Sequence, residues 1–488
     1  MLTKNKLMNA HQLNKNCLEG LFSFCLASCI LLALHQIHNV TAFPFDSNEY
    51  WSLSDPGTFF NFPNVIRGYF YPLLLLPVHW LSNILVGYEF YLYRIYTSLL
   101  YGYLLANVLP SVYVQLFGGK LTLLRRLLLP ILVAILYPGL IIYPLSDLPA
   151  FLLMICALYA LTKAKSTGPL LHAAAFVVLA GILAAGAYNT RTIYWFPLIG
   201  LLFAVPLYFF SMRPVMHRVM GTLLFILGVG LLSAPQSLIN HSRHGTWTPA
   251  VVSQSTDKSL FTLQLMWGIT MQRYETTIDR SAPFPTRYFI DRVGEQLFVA
   301  EDLEKSQVSV VNYLRMVARH PLEFFGIYAR HLVSGLDVRD GEVYVRNVKA
   351  GNTKIAVFNF VIIAFALLAI LVRYMVAKSD SCEQSKVFFR DRTPANPLWP
   401  LGILLWLLPA CAILPGAVET RFFFPVHAFF YCTIAFNTSI PELHAVLRRH
   451  WMLLLGGALL LGALYFGIST STQAALQPTI PLQYRFGN

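Results

Sequence analysis

The residues best suited to chemistry are acidic side chains in short polar segments between long apolar runs. The first such segment contains Asp46 and Glu49, followed directly by Tyr50 and Trp51. A carboxylate beside aromatic rings can accept the proton of an attacking hydroxyl group, which is general-base chemistry. We therefore take Asp46 and Glu49 as candidate catalytic residues, and Tyr50 and Trp51 as candidate binding residues.

Three further short segments carry an acid or an arginine. Asp147 comes just before Pro149, Arg191 follows a later apolar run, and Glu419 and Arg421 stand in a third segment. Asp147 is a candidate catalytic acid, and the two arginines are candidate phosphate ligands because a guanidinium group can bind phosphate through paired hydrogen bonds. The alternatives are a helix cap at Asp147, interfacial snorkelling by Arg191 and a weak Glu419–Arg421 surface pair.

A long polar segment after residue 234 is rich in amide and aromatic side chains. Gln236, Asn240, Arg273 and Tyr274 belong to it. Such groups orient polar ligands through neutral hydrogen bonds and ring contacts, so we take these four as candidate substrate-binding residues. Packing within the loop is the alternative for each of them.

Several common catalytic motifs are absent from the sequence. It contains no GxxxxGK[ST], HExxH, GxSxG or GxGxxG followed by an acid, and its seven cysteines show no zinc-ligand spacing. Phosphate-loop nucleotide chemistry, zinc proteolysis and serine hydrolysis therefore lose support, and we predict no metal-ligating residues.

Composition shows what must position these residues. Of 488 residues, 56% are hydrophobic and only 12% are charged, with a mean hydropathy of +0.57. Soluble proteins carry about 25% charged residues. These values exclude a soluble globular enzyme and a disordered chain, and they predict an all-α polytopic membrane protein.

Apolar windows of 17–25 residues predict membrane-spanning helices. We predict about eleven, the first of them an uncleaved anchor. The windows are 21–37, 93–116, 124–143, 147–162, 170–188, 192–210, 216–234, 355–376, 398–415, 422–438 and 451–469.

Charge decides whether a twelfth apolar stretch, 69–86, also crosses. If it lies in the membrane interface, seventeen Lys and Arg against five Asp and Glu fall on one side, as expected of the cytoplasmic face. We therefore predict a cytoplasmic N-terminus, an outside C-terminus and an interfacial element at 69–86. The net charge of +13 is then a topology signal and does not indicate nucleic-acid binding.

This topology divides the chain into three parts. Residues 1–234 form an N-terminal transmembrane module whose first outside loop, 38–91, is catalytic. Residues 235–352 form a larger outside domain with 13 basic and 12 acidic residues, and 353–488 form a C-terminal transmembrane module with an outside tail. Every candidate site residue falls on the outside.

The order of these segments resembles the GT-C superfamily of integral membrane glycosyltransferases over about residues 20–435. The resemblance rests on the acidic segment after the first span, the Pro-rich aromatic element with Arg94 beyond it, and three later turns. These segments are Asp46–Trp51, Tyr69–Trp80, Ser146–Pro149, Gly186–Arg191 and Glu419–Pro425. The middle region resembles bacterial O-antigen-modifying glucosyltransferases.

The resemblance implies transfer of a sugar from a polyprenyl-phosphate donor to a hydroxyl of a glycan, lipid or protein. It gives the role of general base to Asp46, with Glu49 as the alternative, and makes Asp147 the second acid. Because Ser47 and Asn48 separate the first two acids, the sequence departs from the adjacent Asp-Glu pair of some families. A divalent metal therefore stays open as a cofactor.

Location and alternative functions follow from the same expectations. The protein is expected in the bacterial inner membrane, with its site on the periplasmic side. The alternatives are a transporter or flippase of lipid-linked glycans, and a polymerase or ligase using them. A transporter would place ionisable residues in the middle of spans, whereas the acids here cluster in outside turns.

Overall fold

The computed structural model describes residues 2–63, 67–85, 87–167, 170–210, 213–252, 260–303, 309–341, 343–348, 352–379 and 399–477. The chain is mostly helical, as predicted. Within these ranges, eight helices are long and apolar enough to cross a membrane. They are Leu18–His38, Phe90–Phe117, Asp147–Ser166, Leu171–Thr190, Thr192–Phe209, Val215–His244, Thr353–Met375 and Ile440–Ala474.

The first half of the chain forms helices α1 to α12. They are α1 (Leu2–His38), α2 (Phe45–Leu53), α3 (Pro56–Phe60), α4 (Phe70–Ile84), α5 (Glu89–Tyr103), α6 (Leu109–Phe117), α7 (Leu123–Leu136), α8 (Gly139–Ile142), α9 (Asp147–Ser166), α10 (Leu170–Thr190), α11 (Trp195–Ala204) and α12 (Val215–His244). Pi-helical turns at Leu104–Val108 and Val205–Phe209 continue α5 and α11, close to prolines that interrupt the regular hydrogen-bond ladder.

The second half combines helices with short strands. They are α13 (Leu260–Thr270), β1 (Met271–Thr277), β2 (Thr286–Ile290), α14 (Arg292–Ala300), α15 (Val310–Arg319), α16 (Pro321–Leu336), β3 (Tyr344–Val345), α17 (Thr353–Ser379), α18 (Trp399–Ile413), α19 (Phe424–Cys432), α20 (Ile440–Ala474) and β4 (Leu476–Gln477). A 3₁₀ turn, Thr420–Phe423, leads into α19, and a π-helical turn, Thr433–Asn437, extends it.

Eight of the eleven predicted spans coincide with the eight long apolar helices. The windows 124–143, 398–415 and 422–438 instead contain shorter helices, α7, α18 and α19. The first of these ends at Leu136 because Pro138 disfavours helical backbone in the residue before it. The chain is thus polytopic by length and composition, and eleven crossings stay a prediction.

A small sheet accompanies the helices. It has the strand order β3-β1-β2-β4, and only its β1–β3 pair is parallel. The register pairs Thr276 with Tyr344 and Phe289 with Leu476. Sequence periodicity missed β3 and β4 because two-residue strands carry no readable alternation. The sheet joins strands of the middle segment to β4, which directly follows α20.

Helix α9 lies at the centre of the helical bundle. Its 18-residue apolar window is 78% buried, against 11% for α20. A helix that is apolar on every side is expected to be buried. Beside it, α10 and α12 approach closely at Gly181 and Gly228, where an added Cβ would lie 2.2 Å and 2.1 Å from backbone oxygens of the other helix.

Helix α4 covers most of the ambiguous 69–86 stretch and both of its ends lie at one end of the bundle. The Phe70 N–H donates to Asn189 Oδ1 over 2.7 Å, beside the end of α10. Beyond α4, Arg94 donates to Asn39 Oδ1 over 3.0 Å, directly after α1. With 15 residues, α4 is not among the eight long helices. Its place in the membrane interface stays a prediction.

Candidate functional site

Four segments far apart in sequence bring charged side chains together at the end of the bundle where α9 begins. Asp46 is the second residue of α2, Asp147 the first of α9, Arg191 follows α10, and Arg421 lies in the turn before α19. With Glu419 and Glu49, these residues form what we call the charged cluster. All six are predicted site residues.

Arg421 is the hub of the charged cluster. Its guanidinium lies 3.1 Å from an Asp46 oxygen and 3.9 Å from an Asp147 oxygen, and it forms a close ion pair with Glu419. Although burial disfavours the charged form, Glu419, Asp147 and Asp46 hold the pKa of Arg421 well above its ordinary value. One buried cation therefore holds three carboxylates near each other.

Asp46 also contacts a second arginine. Arg67 donates to Asp46 over 2.8 Å and to Glu49 over 3.0 Å, and its guanidinium lies 5.2 Å from the Tyr50 ring centroid. Burial opposes ionisation of Asp46, but Arg421 and Arg67 outweigh it and lower its pKa from 3.8. With 35% of its side chain exposed, Asp46 is an ionised carboxylate that a ligand can reach.

Asp147 is the most deeply buried acid of the cluster, with 4% of its side chain exposed. Arg191 Nη1 lies 2.6 Å from Asp147 Oδ1, yet neither oxygen of Asp147 has a partner in hydrogen-bonding geometry. Buried carboxylate oxygens normally accept hydrogen bonds, so Asp147 depends on the two nearby arginines to balance its charge. The ring of Phe422 contacts both guanidinium groups, at 4.3 Å from Arg191 and 5.5 Å from Arg421.

Glu419 is the acid most affected by burial. Loss of solvent raises its pKa to about 7, with Asp46 and Asp147 adding repulsion and Arg421 opposing the shift. Its carboxylate also lies 3.5 Å from the Thr276 hydroxyl of β1. Near neutral pH, Glu419 therefore exchanges a proton readily and sets the net charge of the cluster.

This raised pKa predicts how stability depends on pH. Between pH 4.5 and about 7, the folded chain holds a proton on Glu419 that the unfolded chain has lost. Stability from this group is therefore complete below pH 4.5 and declines as pH rises to about 7. We expect the Glu419→Gln variant in detergent to lose less melting temperature than wild type between pH 5 and 8. Equal losses in both proteins would contradict the shift.

Gly68 positions Arg67. A Cβ on Gly68 would lie 2.0 Å from the backbone oxygen of Asn189 and 2.5 Å from its side-chain oxygen. We expect Gly68→Ala to push the segment away from α10 and to destabilise the fold by about 1–3 kcal/mol, as overpacking does. Thermal unfolding measures this effect. Gly87→Ala is the control for collision, because no atom lies within 4 Å of its Cβ position. Since the φ of Gly87 is +90°, any destabilisation in that variant reports backbone strain alone.

Two small cavities adjoin Arg421 on different sides. The first, of about 30 Å³, is lined by Tyr137, Arg273, Tyr274, Glu275, Glu419 and Arg421, among others. The second, of about 10 Å³, combines Asp147, Arg191 and Arg421 with apolar groups that include Ile413, Phe422 and Pro425. A water needs about 10–15 Å³, so both are water-sized in this arrangement.

The first cavity contains two predicted binding residues from β1. Arg273 is buried, forms a close ion pair with Glu275, and donates to the Asp337 carbonyl oxygen over 2.9 Å. Tyr274 is also enclosed, and burial together with nearby Glu419 raises its pKa well above its ordinary value. Both residues therefore lie beside the charged cluster, as expected of a shared site.

The structure does not bring every predicted residue into the site. The Trp51 ring stacks on the His79 ring, with 4.4 Å between their centroids. The Tyr50 ring packs against the Tyr71 ring at 5.0 Å, and its link to the charged cluster is the contact with Arg67. Gln236 accepts from Asn189 over 2.9 Å and donates to Asn240 over 3.1 Å.

These contacts place three predicted binding residues away from the charged cluster. Asn240 uses its amide to hold the carbonyl oxygens of Thr248 and Ala250, over 2.6 Å and 2.7 Å. It closes the chain after α12, and Gln236 joins that network to α10. Gln236, Asn240 and Trp51 thus make structural contacts, and their binding roles stay predictions.

Sequence reasoning missed several residues at the site. Arg67 had a readable signal, because it is the only Lys or Arg between residues 38 and 91. Tyr344, whose hydroxyl accepts from the Ser47 N–H over 3.4 Å, and Glu275 had none, since only the tertiary fold brings them close. Among the residues that the structure describes, no three His, Cys, Asp or Glu side chains form a metal-ligand group.

No protein-family model, no curated protein and no solved structure matches this chain.

Proposed function

We propose that the protein is a membrane glycosyltransferase that moves a sugar from a polyprenyl-phosphate donor to an acceptor hydroxyl. The observation that carries this proposal is the charged cluster, in which Arg421 contacts Asp46, Asp147 and Glu419 at the end of a bundle of apolar helices. Such a site offers a base and a cationic phosphate ligand. The resemblance of segment order to the GT-C superfamily supports the same reading.

The residues that line the two water-sized cavities suit the two halves of such a donor, and both cavities would have to widen to admit it. The second cavity pairs the guanidinium groups of Arg191 and Arg421 with the apolar side chains of Phe422 and Pro425. A phosphate group prefers the guanidinium groups, and a prenyl chain prefers the apolar side chains. The first cavity offers Tyr274 and Glu275, which suit sugar hydroxyls. Arg421 lines both and would hold the phosphate between sugar and lipid.

Transfer would proceed by direct displacement. The acceptor hydroxyl gives its proton to a carboxylate oxygen of Asp46 while its oxygen bonds to the anomeric carbon of the sugar. The bond between that carbon and the phosphate oxygen breaks, and polyprenyl phosphate leaves with the electron pair. Its added negative charge is stabilised by Arg421 and Arg191. Single displacement inverts the configuration at the anomeric carbon.

Donor binding would also activate the base. In the free protein, Arg421 and Arg67 lower the pKa of Asp46, which makes it a weak proton acceptor. A phosphate bound to Arg421 competes with Asp46 for that guanidinium. The pKa of Asp46 then rises, so the base strengthens only when the donor is present.

The proposal is tested in membranes that contain the wild-type chain, the Asp46→Asn variant or neither. A polyprenyl-phosphate donor carrying a radiolabelled hexose is added. The remaining donor lipid is then measured, together with the label in the glycan, lipid and protein fractions that contain the candidate acceptors. We expect only the membranes with wild-type protein to transfer label from the donor lipid to an acceptor, in a product that is stable in water, and to release polyprenyl phosphate. A panel of hexose and amino-sugar donors identifies the sugar.

The same experiment separates the other candidate classes. A flippase would move the labelled lipid between leaflets without consuming it, and a polymerase or ligase would require a donor that already carries an oligosaccharide. Intact donor across the whole panel, with wild-type protein present in the membrane, would overturn the proposal.

A further inference from the structure

Helix α16 has apolar residues on two opposite faces. One face packs inward: Phe324, Ile327 and His331 are buried. At 100° per residue, the opposite face carries Leu322, Phe325, Ala329, Leu332 and Leu336, which we call the outer stripe. The two charged residues of the helix, Glu323 and Arg330, stand on one side between these faces.

Three residues of the outer stripe are uncovered by the rest of the chain, whereas Leu336 packs against the buried Val418 and Phe423. Leu322 is 82% exposed, Phe325 75% and Leu332 43%. A helix that faces water on its outer side carries charged or polar residues there. Water is therefore a poor partner for this face.

The C-terminal end of α16 lies beside two membrane-spanning helices. Asn359 of α17 donates to the Leu336 carbonyl oxygen over 2.6 Å, and Tyr465 of α20 donates to the same oxygen over 3.2 Å. Asn359 lies about 9 Å along α17 from Thr353 at 1.5 Å per residue. Leu336 is therefore level with the apolar part of α17 and not with its end.

Residues of α17 at that level indicate what surrounds them. Val357, Phe358 and Val361 are 44%, 42% and 54% exposed, and they belong to a candidate span with a mean hydropathy of 3.0. Lipid acyl chains contact such surfaces. The outer stripe begins at the same level and continues away from the spans along α16.

Two arginines lie near the other end of the stripe, one of which, Arg319, also pairs with Glu301. Arg315 and Arg319 of α15 are exposed next to the start of α16, about 22 Å from Leu336 along the helix. Basic residues beside an exposed apolar stripe are typical of helices that lie in the membrane interface, where arginine meets lipid phosphate.

We propose that α16 is an interfacial helix whose outer stripe contacts the acyl chains of the leaflet on the side of the charged cluster. This inference does not depend on sugar transfer. It gives the middle segment of the chain a lipid contact in addition to the spans.

The contact would also couple the bilayer to the site. The carbonyl oxygens of Ser334, near the C-terminal end of α16, and of Asp337, directly after it, accept hydrogen bonds from Arg273. Arg273 lines the first cavity. Gly335 lies against Phe423 of the turn that carries Arg421, where an added Cβ would come within 2.3 Å of the ring. The depth of α16 in the leaflet would therefore position both sides of the site.

Photoreactive lipids test this proposal on the wild-type chain. The purified full-length protein is reconstituted into vesicles of phosphatidylethanolamine and phosphatidylglycerol that contain a phospholipid with a diazirine in its acyl chain. After irradiation and digestion, mass spectrometry maps the labelled residues. We expect labels on Leu322, Phe325 and Leu332, at yields within about threefold of those on Val357 and Phe358.

The exposed turn between β1 and β2, at Ser281–Phe284, serves as the internal control because it also carries an exposed aromatic residue, Phe284. It should label at least fivefold less than α16. Labelling of α16 no stronger than this turn, with α17 well labelled, would overturn the proposal. Protein–protein cross-links at the outer stripe between copies of the chain would overturn it in favour of a dimer contact.

Discussion

Arg421→Gln is expected to abolish sugar transfer and to destabilise the protein. The variant leaves Asp46, Asp147 and Glu419 close together without their shared cation, and loss of one partner from a buried ion pair costs about 3–5 kcal/mol. It also removes the residue that lines both cavities. Transfer from the labelled donor and thermal unfolding in detergent measure the two effects. We expect transfer to fall at least about 10³-fold and melting to occur several degrees lower.

Two controls make this result specific. Arg319→Gln removes an arginine that pairs with Glu301 at the surface and is 58% exposed, so its stability should change by less than about 1 kcal/mol. Arg421→Lys keeps the positive charge but loses the paired N–H donors of the guanidinium group. It should therefore be more stable than Arg421→Gln while transferring less sugar than wild type. Wild-type melting and transfer in Arg421→Gln would contradict its place as the hub.

Asp46→Asn is expected to lower transfer by about 10²–10⁴-fold with little loss of stability, because it removes the proton acceptor. The side chain is partly exposed, and its single amide oxygen can still accept a hydrogen bond from one of the two arginines, Arg67 or Arg421. Initial rates of transfer at saturating donor measure the change, and melting temperature reports the fold.

Glu49→Gln is the matched control for Asp46→Asn. Both acids pair with Arg67, but only Asp46 also pairs with Arg421. If Asp46 is the base, Glu49→Gln should keep at least about a tenth of wild-type transfer. The reverse ranking of the two variants would give the role of base to Glu49.

Much of the fold followed from the apolar pattern of the sequence. Long apolar runs must form helices in a membrane, since each backbone polar group is then satisfied within its own helix. The pattern could not distinguish a full span from the shorter helices α7, α18 and α19, because backbone breaks depend on prolines and on packing. It could not reveal the sheet, whose β4 strand gains its partner β2 only in the folded chain.

The charged cluster was partly predictable for a different reason. Asp46, Asp147, Arg191 and Glu419 stand in short turns between apolar runs, and such turns must meet at the ends of a helical bundle. Which acid pairs with which arginine depends on distances of a few ångströms that no spacing in the sequence encodes. Gln236 and Asn240 resemble ligand-binding residues in type, yet Asn240 holds the backbone of the neighbouring loop and Gln236 bonds to the side chains of Asn189 and Asn240.

The long separation of Asp46 from Arg421 has a consequence for the newly made chain. At translation rates of about 5–20 residues per second, the ribosome reaches Arg421 about 20–75 seconds after Asp46. Arg67, only 21 residues after Asp46, is made within seconds and pairs with the same carboxylate. Until the turn before α19 is inserted, Arg67 is therefore the arginine within reach of Asp46. The second cation arrives shortly before β4 completes the sheet, so the site takes its final charge balance only after 375 further residues have been made.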